Sequence, residues 1–196
     1  NKHRFLAHVV SNSTDMFSPD ILMTTQQKPL KFLQTEEIQI LLKAIRNPTL
    51  KLMVRLCLQT GVRKKELLLF PVYSIRKPRF NELICKVEIN RTKGEKARII
   101  DVPARLMNDL WSYVNELRFQ QAQVSRCESE RLFLTTEGKE WSIGSDGFNK
   151  ALTDLRLPFQ VTPHKLRHTY ATHTLKDLQQ RKNLKFEPLM YLQSRL

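Results

Sequence analysis

The spacing of apolar residues predicts three helices in the first half of the chain. Apolar positions three and four residues apart form one hydrophobic face on a helix over 35–45, with Thr35 as its expected N-cap. A second and more strongly apolar helix is predicted over 50–59. It should end at Gly61, because glycine readily adopts the left-handed conformation that terminates helices. A short third helix is predicted over 64–70.

From residue 82 the pattern changes to an alternation of apolar and polar residues. A period of two is typical of half-buried strands, and it predicts one strand over 82–89 and another over 97–102. The segment between them contains Gly94, so the two strands are predicted to form an antiparallel β-hairpin. The tip of this hairpin carries three cationic side chains, those of Arg91, Lys93 and Lys96.

Helical spacing returns after the hairpin. Helices and one short strand are predicted over residues 103–117, 132–134, 144–155, 163–175 and 187–196, of which 132–134 is the strand. Pro103 and Pro163 stand where a helix-starting proline is expected. The segment 176–185 is polar and basic, so it is predicted to form a loop.

These elements predict a mainly α fold with one small antiparallel β-sheet, which is an α+β architecture. Residues 35–196 are assigned to a single compact domain, because the connections between the predicted elements are short. Residues 1–34 combine turn-forming residues with short apolar pieces. We therefore interpret them as a linker or the tail of a preceding domain.

The chain is strongly basic, since its 196 residues include 33 Lys and Arg against 19 Asp and Glu, a formal net charge of +14. Such an excess is typical of a protein that binds a polyanion, and nucleic acid is the leading candidate. On charge alone, a basic ribosomal or surface-solvated protein and a protein that binds an anionic membrane stay open. No stretch approaches the roughly 18 apolar residues of a spanning helix, so no membrane insertion is expected.

The cysteines give no sign of a metal site or of a disulfide framework. Cys57, Cys85 and Cys127 are far apart and lack the paired spacing that zinc ligands show. The first residues hold only a short apolar patch, and no secretory signal is recognised there. We therefore expect a cytoplasmic protein that binds no metal ion.

Three separated segments carry the candidate chemistry, and each alone is a modest signal. They are TGVRKKELL at 60–68, RTKGEKARIIDVP at 91–103 and TPHKLRHTYATH at 162–173. In this order and at these separations they resemble the catalytic domain of the tyrosine recombinase, or phage-type integrase, family. The resemblance extends from about residue 33 to residue 196. The third segment is its most specific part, because it matches the family signature almost throughout.

The resemblance implies a set of residues that act on a DNA phosphodiester. Arg63 and Arg167 match the family's two phosphate-binding arginines, whose planar guanidinium groups suit paired phosphate oxygens. Lys93 matches the hairpin lysine that protonates the departing 5′ oxygen. His164 matches a histidine with a role in acid–base support, and it lies one helical turn from Arg167.

Neighbouring residues in these segments are given supporting or structural roles. Glu66, three residues after Arg63, is expected to orient that arginine. Lys96 lies on the same hairpin as Lys93 and is the alternative for its role. Three further residues are expected to be structural, namely His168, Tyr170 and His173.

The resemblance further implies site-specific cutting and rejoining of DNA through a 3′-phosphotyrosyl intermediate. Neither a metal ion nor a nucleotide cofactor is implied, because the covalent intermediate conserves the energy of the phosphodiester. The implied partners are double-stranded DNA and further copies of the protein, since the family works as tetramers on two duplexes. The alternatives are a non-catalytic DNA-binding protein of the same fold, a type IB topoisomerase and a helix-turn-helix regulator.

The sequence departs from the family pattern near residue 196. The family has a helix that ends in Leu-Gly-His or Leu-Gly-Trp, followed by the nucleophilic tyrosine, whereas residues 191–196 read Tyr-Leu-Gln-Ser-Arg-Leu. The nucleophile is therefore expected to lie outside residues 1–196, and this stretch alone is expected to be inactive. Tyr191 belongs to the apolar helix before the missing motif, where core packing is expected.

Overall fold

The computed structural model describes residues 32–89, 97–126, 128–181, 184 and 186–196. Two predictions lie outside these residues: most of the segment 1–34, and the hairpin tip with Lys93. The described elements are α1 (Thr35–Ala44), α2 (Pro48–Thr60), α3 (Lys64–Leu68), a short 3-10 helix (Val72–Ser74), β1 (Ile84–Ile89), β2 (Arg98–Pro103), α4 (Ala104–Tyr113), a π-helical segment (Val114–Arg118), α5 (Phe119–Ser125), α6 (Gly147–Thr153), α7 (Pro163–Gln180) and α8 (Pro188–Arg195).

The sheet consists of β1 and β2, which pair antiparallel so that Ile84 faces Pro103 and Ile89 faces Arg98. Alternate residues of each strand are buried. The buried residues are Cys85, Val87, Ile89, Arg98, Ile100 and Val102. The mainly helical fold with one small antiparallel sheet is therefore confirmed, and the strand boundaries shift by a residue or two, as is common at element ends.

Helix α2 runs through the core and sets the position of the elements around it. It packs against α7, β2 and α4. Its buried apolar residues are Leu50, Met53, Val54, Leu56 and Cys57. Full burial of one such large side chain stabilises a fold by about 1.5–3 kcal/mol, so this helix holds the flanking elements firmly. It ends at Gly61 as predicted.

Helix α7 and the predicted strand over 132–134 differ from the sequence prediction. Helix α7 continues past its predicted end near residue 175, so the loop that follows starts later than expected. Leu178 is buried in this extension, and tertiary packing of such an apolar contact stabilises a helix whose sequence is otherwise polar. The strand predicted over 132–134 is replaced by isolated bridges, one of which pairs Leu134 with Glu140.

The long helix predicted from Pro103 is interrupted by the π-helical segment. At its end, the guanidinium of Arg118 donates to the carbonyl oxygens of Arg131 and Leu132 at 3.0 Å each. Arg118 therefore ties the helical layer to the loop that follows α5. Within the described ranges, no helix combines the length and the apolar character needed to cross a bilayer.

Candidate functional site

An open cleft of about 670 Å³ lies between the start of α3 and the start of α7. Its described lining residues are Arg63, Lys64, Lys65, Asn149, Thr162, Pro163, His164 and Arg167. Half of them carry a fixed positive charge, and no acidic side chain is among these described lining residues. Because a cleft lined by charges of one sign raises the local concentration of ions of the opposite sign, this cleft suits an anion such as a phosphate.

Arg63 reaches the cleft because α2 ends sharply just before it. Gly61 has a φ of 65°, the left-handed conformation that favours glycine, and Arg63 then becomes the N-cap residue of α3. A Cβ atom at Gly61 would collide with the ring of Tyr170 on α7, so the close approach of these helices also requires glycine. The side chain of Arg63 stays 43% exposed.

The carboxylate of Glu66 holds Arg63 in place. Oε2 of Glu66 accepts the backbone N–H of Arg63 at 2.8 Å, and Oε1 accepts Nη1 of its guanidinium at 3.1 Å. Burial alone would raise the pKa of Glu66, but hydrogen bonds from Arg98 and Arg63, together with their charges, lower it below its ordinary value. Glu66 is therefore ionised at neutral pH and contacts Arg63 as the sequence predicts.

Arg98 is a second arginine that binds the carboxylate of Glu66. No role was predicted for it from the sequence. Its side chain is 4% exposed, and its Nε and Nη2 lie 3.3 and 2.6 Å from the two oxygens of Glu66. Its Nη1 donates to the carbonyl of Arg195 at the end of α8. One signal was available: strand alternation places Arg98 on the buried face with Ile100 and Val102, and a buried arginine needs an acidic partner.

Arg167 reaches the same cleft from the second turn of α7. This helix begins at Pro163, and the side chain of Thr162 caps it by accepting the N–H of Lys165 at 3.1 Å. Nη1 of Arg167 donates to the carbonyl of Gly61, and Nη2 donates to the carbonyl of Leu196. The guanidinium is thus held between the end of α2 and the end of α8.

The imidazole of His164 lies on the same side of α7 and contacts a second histidine. Nε2 of His164 is 2.7 Å from Nε2 of His168, with the two rings nearly perpendicular and their centroids 4.2 Å apart. His168, expected to be structural, therefore contacts one of the predicted catalytic residues directly.

The phenol of Tyr191 is bound by strand β2. Its hydroxyl donates to Oδ2 of Asp101 at 2.6 Å, and Arg195 pairs with the same oxygen at 3.0 Å. The ring of Phe186 stacks on that of Tyr191, with centroids 5.0 Å apart. Burial, followed by the hydrogen bond and charge of Asp101, raises the pKa of Tyr191 and disfavours its phenolate. Tyr191 is thus partly buried and held by Asp101 and Phe186, outside the buried core where it was expected to pack. That it does not react stays a prediction.

Three of the four residues predicted to be catalytic line one cleft. Arg63, His164 and Arg167 come together there although the first is distant in sequence from the other two. Lys93, the fourth, lies outside the described residues. The catalytic roles of all four stay predictions.

Comparison with known proteins agrees with the resemblance seen in the sequence. The profile of the phage integrase family matches residues 31–180. The chain belongs to the phage integrase family. Among curated members, tyrosine recombinase XerC of Anoxybacillus flavithermus is 27% identical over 184 residues, covering 89% of this chain and 59% of that protein. Tyrosine recombinase XerD of Oceanobacillus iheyensis is 29% identical over 186 residues, with the same coverage of 89% and 59%.

Solved structures of integrase-family proteins share the fold. The crystal structure of XerA recombinase superimposes with a TM-score of 0.64 at 22% identity, covering 88% of this chain and 57% of that one. The XerH site-specific recombinase bound to a palindromic difH substrate gives a TM-score of 0.63 at 17% identity, covering 87% and 47%. The chain therefore has the tyrosine recombinase catalytic-domain fold, and it spans 59% of the length of the curated relatives named above.

Proposed function

We propose that the protein cuts and rejoins duplex DNA at specific sites, as a tyrosine recombinase. The observation that carries this proposal is the convergence of Arg63, His164 and Arg167 on one cationic cleft. Related chains of 27% and 29% identity bear the name tyrosine recombinase, which supports the same activity. The net charge of +14 supports duplex DNA as the substrate.

The proposed reaction is a transesterification on one strand of the duplex. A tyrosine hydroxyl attacks the phosphorus, a phosphotyrosyl bond forms at the 3′ end, and the bond from phosphorus to the 5′ oxygen breaks. Negative charge concentrates on the non-bridging oxygens in the transition state, and the guanidinium groups of Arg63 and Arg167 stabilise it. His164 supports proton transfer, and Lys93 gives the departing 5′ oxygen its proton. Rejoining reverses these steps.

The protein's partners follow from this chemistry. Strand exchange between two duplexes requires that several DNA strands are cut, so we propose that copies of the protein assemble as a tetramer on DNA. The XerH structure that shares this fold contains a DNA substrate, which supports a DNA partner. Action in the cytoplasm, with neither metal nor nucleotide cofactor, belongs to the same proposal.

A covalent trapping experiment tests the function. The full-length gene product is incubated with a nicked suicide substrate, and the expected result is a protein–DNA adduct resistant to denaturation. Peptide mapping should place the DNA on none of the four tyrosines of residues 1–196. DNA binding without any adduct would favour the non-catalytic alternative, and an adduct on Tyr191 would overturn our assignment of that residue.

Lys93 can be tested through the chemistry of the leaving group. An alkoxide leaving oxygen needs a proton, whereas a thiolate leaves without one. Lys93→Ala should slow cleavage of ordinary DNA by ~100-fold or more, yet cleave a substrate with sulfur at the 5′ bridging position at nearly the wild-type rate. Lys96→Ala is the matched control and should show neither effect. If the sulfur substrate restores cleavage by Lys96→Ala instead, Lys96 is the general acid and Lys93 is not. If it restores cleavage by neither variant, His164 becomes the candidate for the general acid.

A further inference from the structure

The end of helix α8 is attached to strand β2 by hydrogen bonds and an ion pair. Tyr191 donates to Asp101 at 2.6 Å, Arg195 pairs with Asp101 at 3.0 Å, and Nη1 of Arg195 donates to the carbonyl of Ile99 at 3.1 Å. Arg98 donates in return to the carbonyl of Arg195. These contacts hold the last turn of α8 against β2.

On its other side, the guanidinium of Arg98 contacts the carboxylate of Glu66. Through Nε and Nη2, Arg98 binds both oxygens of Glu66, and those oxygens also bind the backbone and guanidinium of Arg63. Glu66 therefore has two arginines on one carboxylate, and only Arg63 lines the cleft. A continuous chain of hydrogen bonds runs from α8 through Arg98 and Glu66 to Arg63.

We propose that Arg98 is a positioning residue that couples the seating of α8 on β2 to the orientation of Arg63, through the shared carboxylate of Glu66. The inference rests on the proposed function only in that Arg63 is taken to bind the reacting phosphate. Arginine suits this place because its planar fork reaches two acceptors in fixed directions, which lysine cannot do. When α8 is not seated, Arg98 loses one acceptor and Glu66 is freer to move, so Arg63 is held less well.

The first test separates chemistry from DNA binding. In the full-length gene product, Arg98→Lys keeps the charge but loses the fork. The single-turnover cleavage rate at saturating DNA should fall by ~10-fold or more, because small displacements of a positioned group cost rate. The Kd for duplex DNA should change less than about threefold, since binding is spread over many phosphate contacts. Arg118→Lys is the matched control, another arginine that binds carbonyls, and should cleave at the wild-type rate.

A paired substitution removes the charge without leaving a buried carboxylate. Glu66→Gln with Arg98→Met replaces the buried ion pair by neutral side chains of similar size, which proteins often tolerate. This double variant should fold, bind DNA and cleave slowly. A wild-type cleavage rate in either the double variant or Arg98→Lys would overturn the proposal, as would a loss that is confined to DNA affinity.

The second test uses the reciprocity of coupling and needs no cleavage. Glu66 binds Arg63 and Arg98, both of which lie outside α8, so a merely local role for Glu66 would leave α8 unaffected. If the coupling is real, Glu66→Gln should speed amide hydrogen exchange in residues 189–196 by ~5-fold or more. Glu82→Gln should not. Unchanged exchange in Glu66→Gln would overturn the coupling, whereas failure of the wild-type protein to form an adduct would count against the proposed function instead.

Discussion

Two of the clusters of glutamate and arginine in the described part of the chain differ in depth. In the cleft cluster, Glu66 and Arg98 are 9% and 4% exposed. In the turn cluster, Glu82 and Arg76 are 18% and 42% exposed, and Nη1 of Arg76 donates to Oε2 of Glu82 at 2.8 Å. The chemistry of the pairs is the same, but water and ions reach the second pair far more easily.

The clusters also differ in what they connect. Glu82 accepts the backbone N–H of Arg79 at 2.8 Å and so closes a local turn that contains Asn81 at a φ of 60°. Arg98, by contrast, is 32 residues from Glu66 and 97 from Arg195, so the cleft cluster joins a helix, a strand and a second helix. An exposed cluster stabilises its own loop, whereas a buried one transmits the position of one element to another.

The largest expected difference between the clusters is in DNA cleavage. Arg63→Ala in the full-length gene product should lower the cleavage rate by ~100- to 1,000-fold, because in the proposed mechanism this arginine stabilises transition-state charge. Arg76→Ala removes an arginine from the turn cluster and should leave the rate unchanged. Both rates are measured at saturating DNA with a suicide substrate. Equal losses in the two variants would mean that the cleft cluster has no special place in the chemistry.

Stability should separate the clusters next. Arg98→Ala leaves the buried carboxylate of Glu66 with Arg63 as its remaining arginine, which should cost about 3 kcal/mol of unfolding free energy. Arg76→Ala leaves Glu82 open to water, so its urea midpoint should fall much less than that of Arg98→Ala. Urea unfolding followed by circular dichroism measures both. A larger loss in Arg76→Ala would show that the turn, and not the cleft, is the more critical contact.

Much of the fold is predictable because its signals are local. The left-handed end of α2 at Gly61, the start of α7 at Pro163 and the alternation in the hairpin each depend on a few neighbouring residues. The extension of α7 was missed because a buried contact of Leu178 overrides a polar local sequence.

The residues of the candidate site, too, were predicted only in part. The cleft residues Arg63, His164 and Arg167 were found because a family resemblance brings together segments that are distant in sequence. Arg98 was missed because no local pattern tells which acid a buried arginine meets. That pairing depends on the tertiary fold, which brings Arg98 of β2 within hydrogen-bonding distance of Glu66 of α3.

The smallest expected difference between the two clusters is in how stability depends on acid pH, and added salt should make that difference larger. The pKa of Glu66 is lowered in the fold, and that of Glu82 is lowered to about 2, chiefly by its hydrogen bond from Arg76. A carboxylate whose pKa is lowered in the fold contributes stability that is fully present above its pKa in the unfolded chain, about 4.3, and is lost as pH falls through its pKa in the fold.

Glu66→Gln and Glu82→Gln should therefore each flatten the dependence of the urea midpoint on pH below about 4.3. In roughly 0.5 M salt the effect of Glu82→Gln should shrink, because exposed pairs are screened, while that of Glu66→Gln should persist. If salt weakened both effects equally, the cleft cluster would be as open to solvent as the turn.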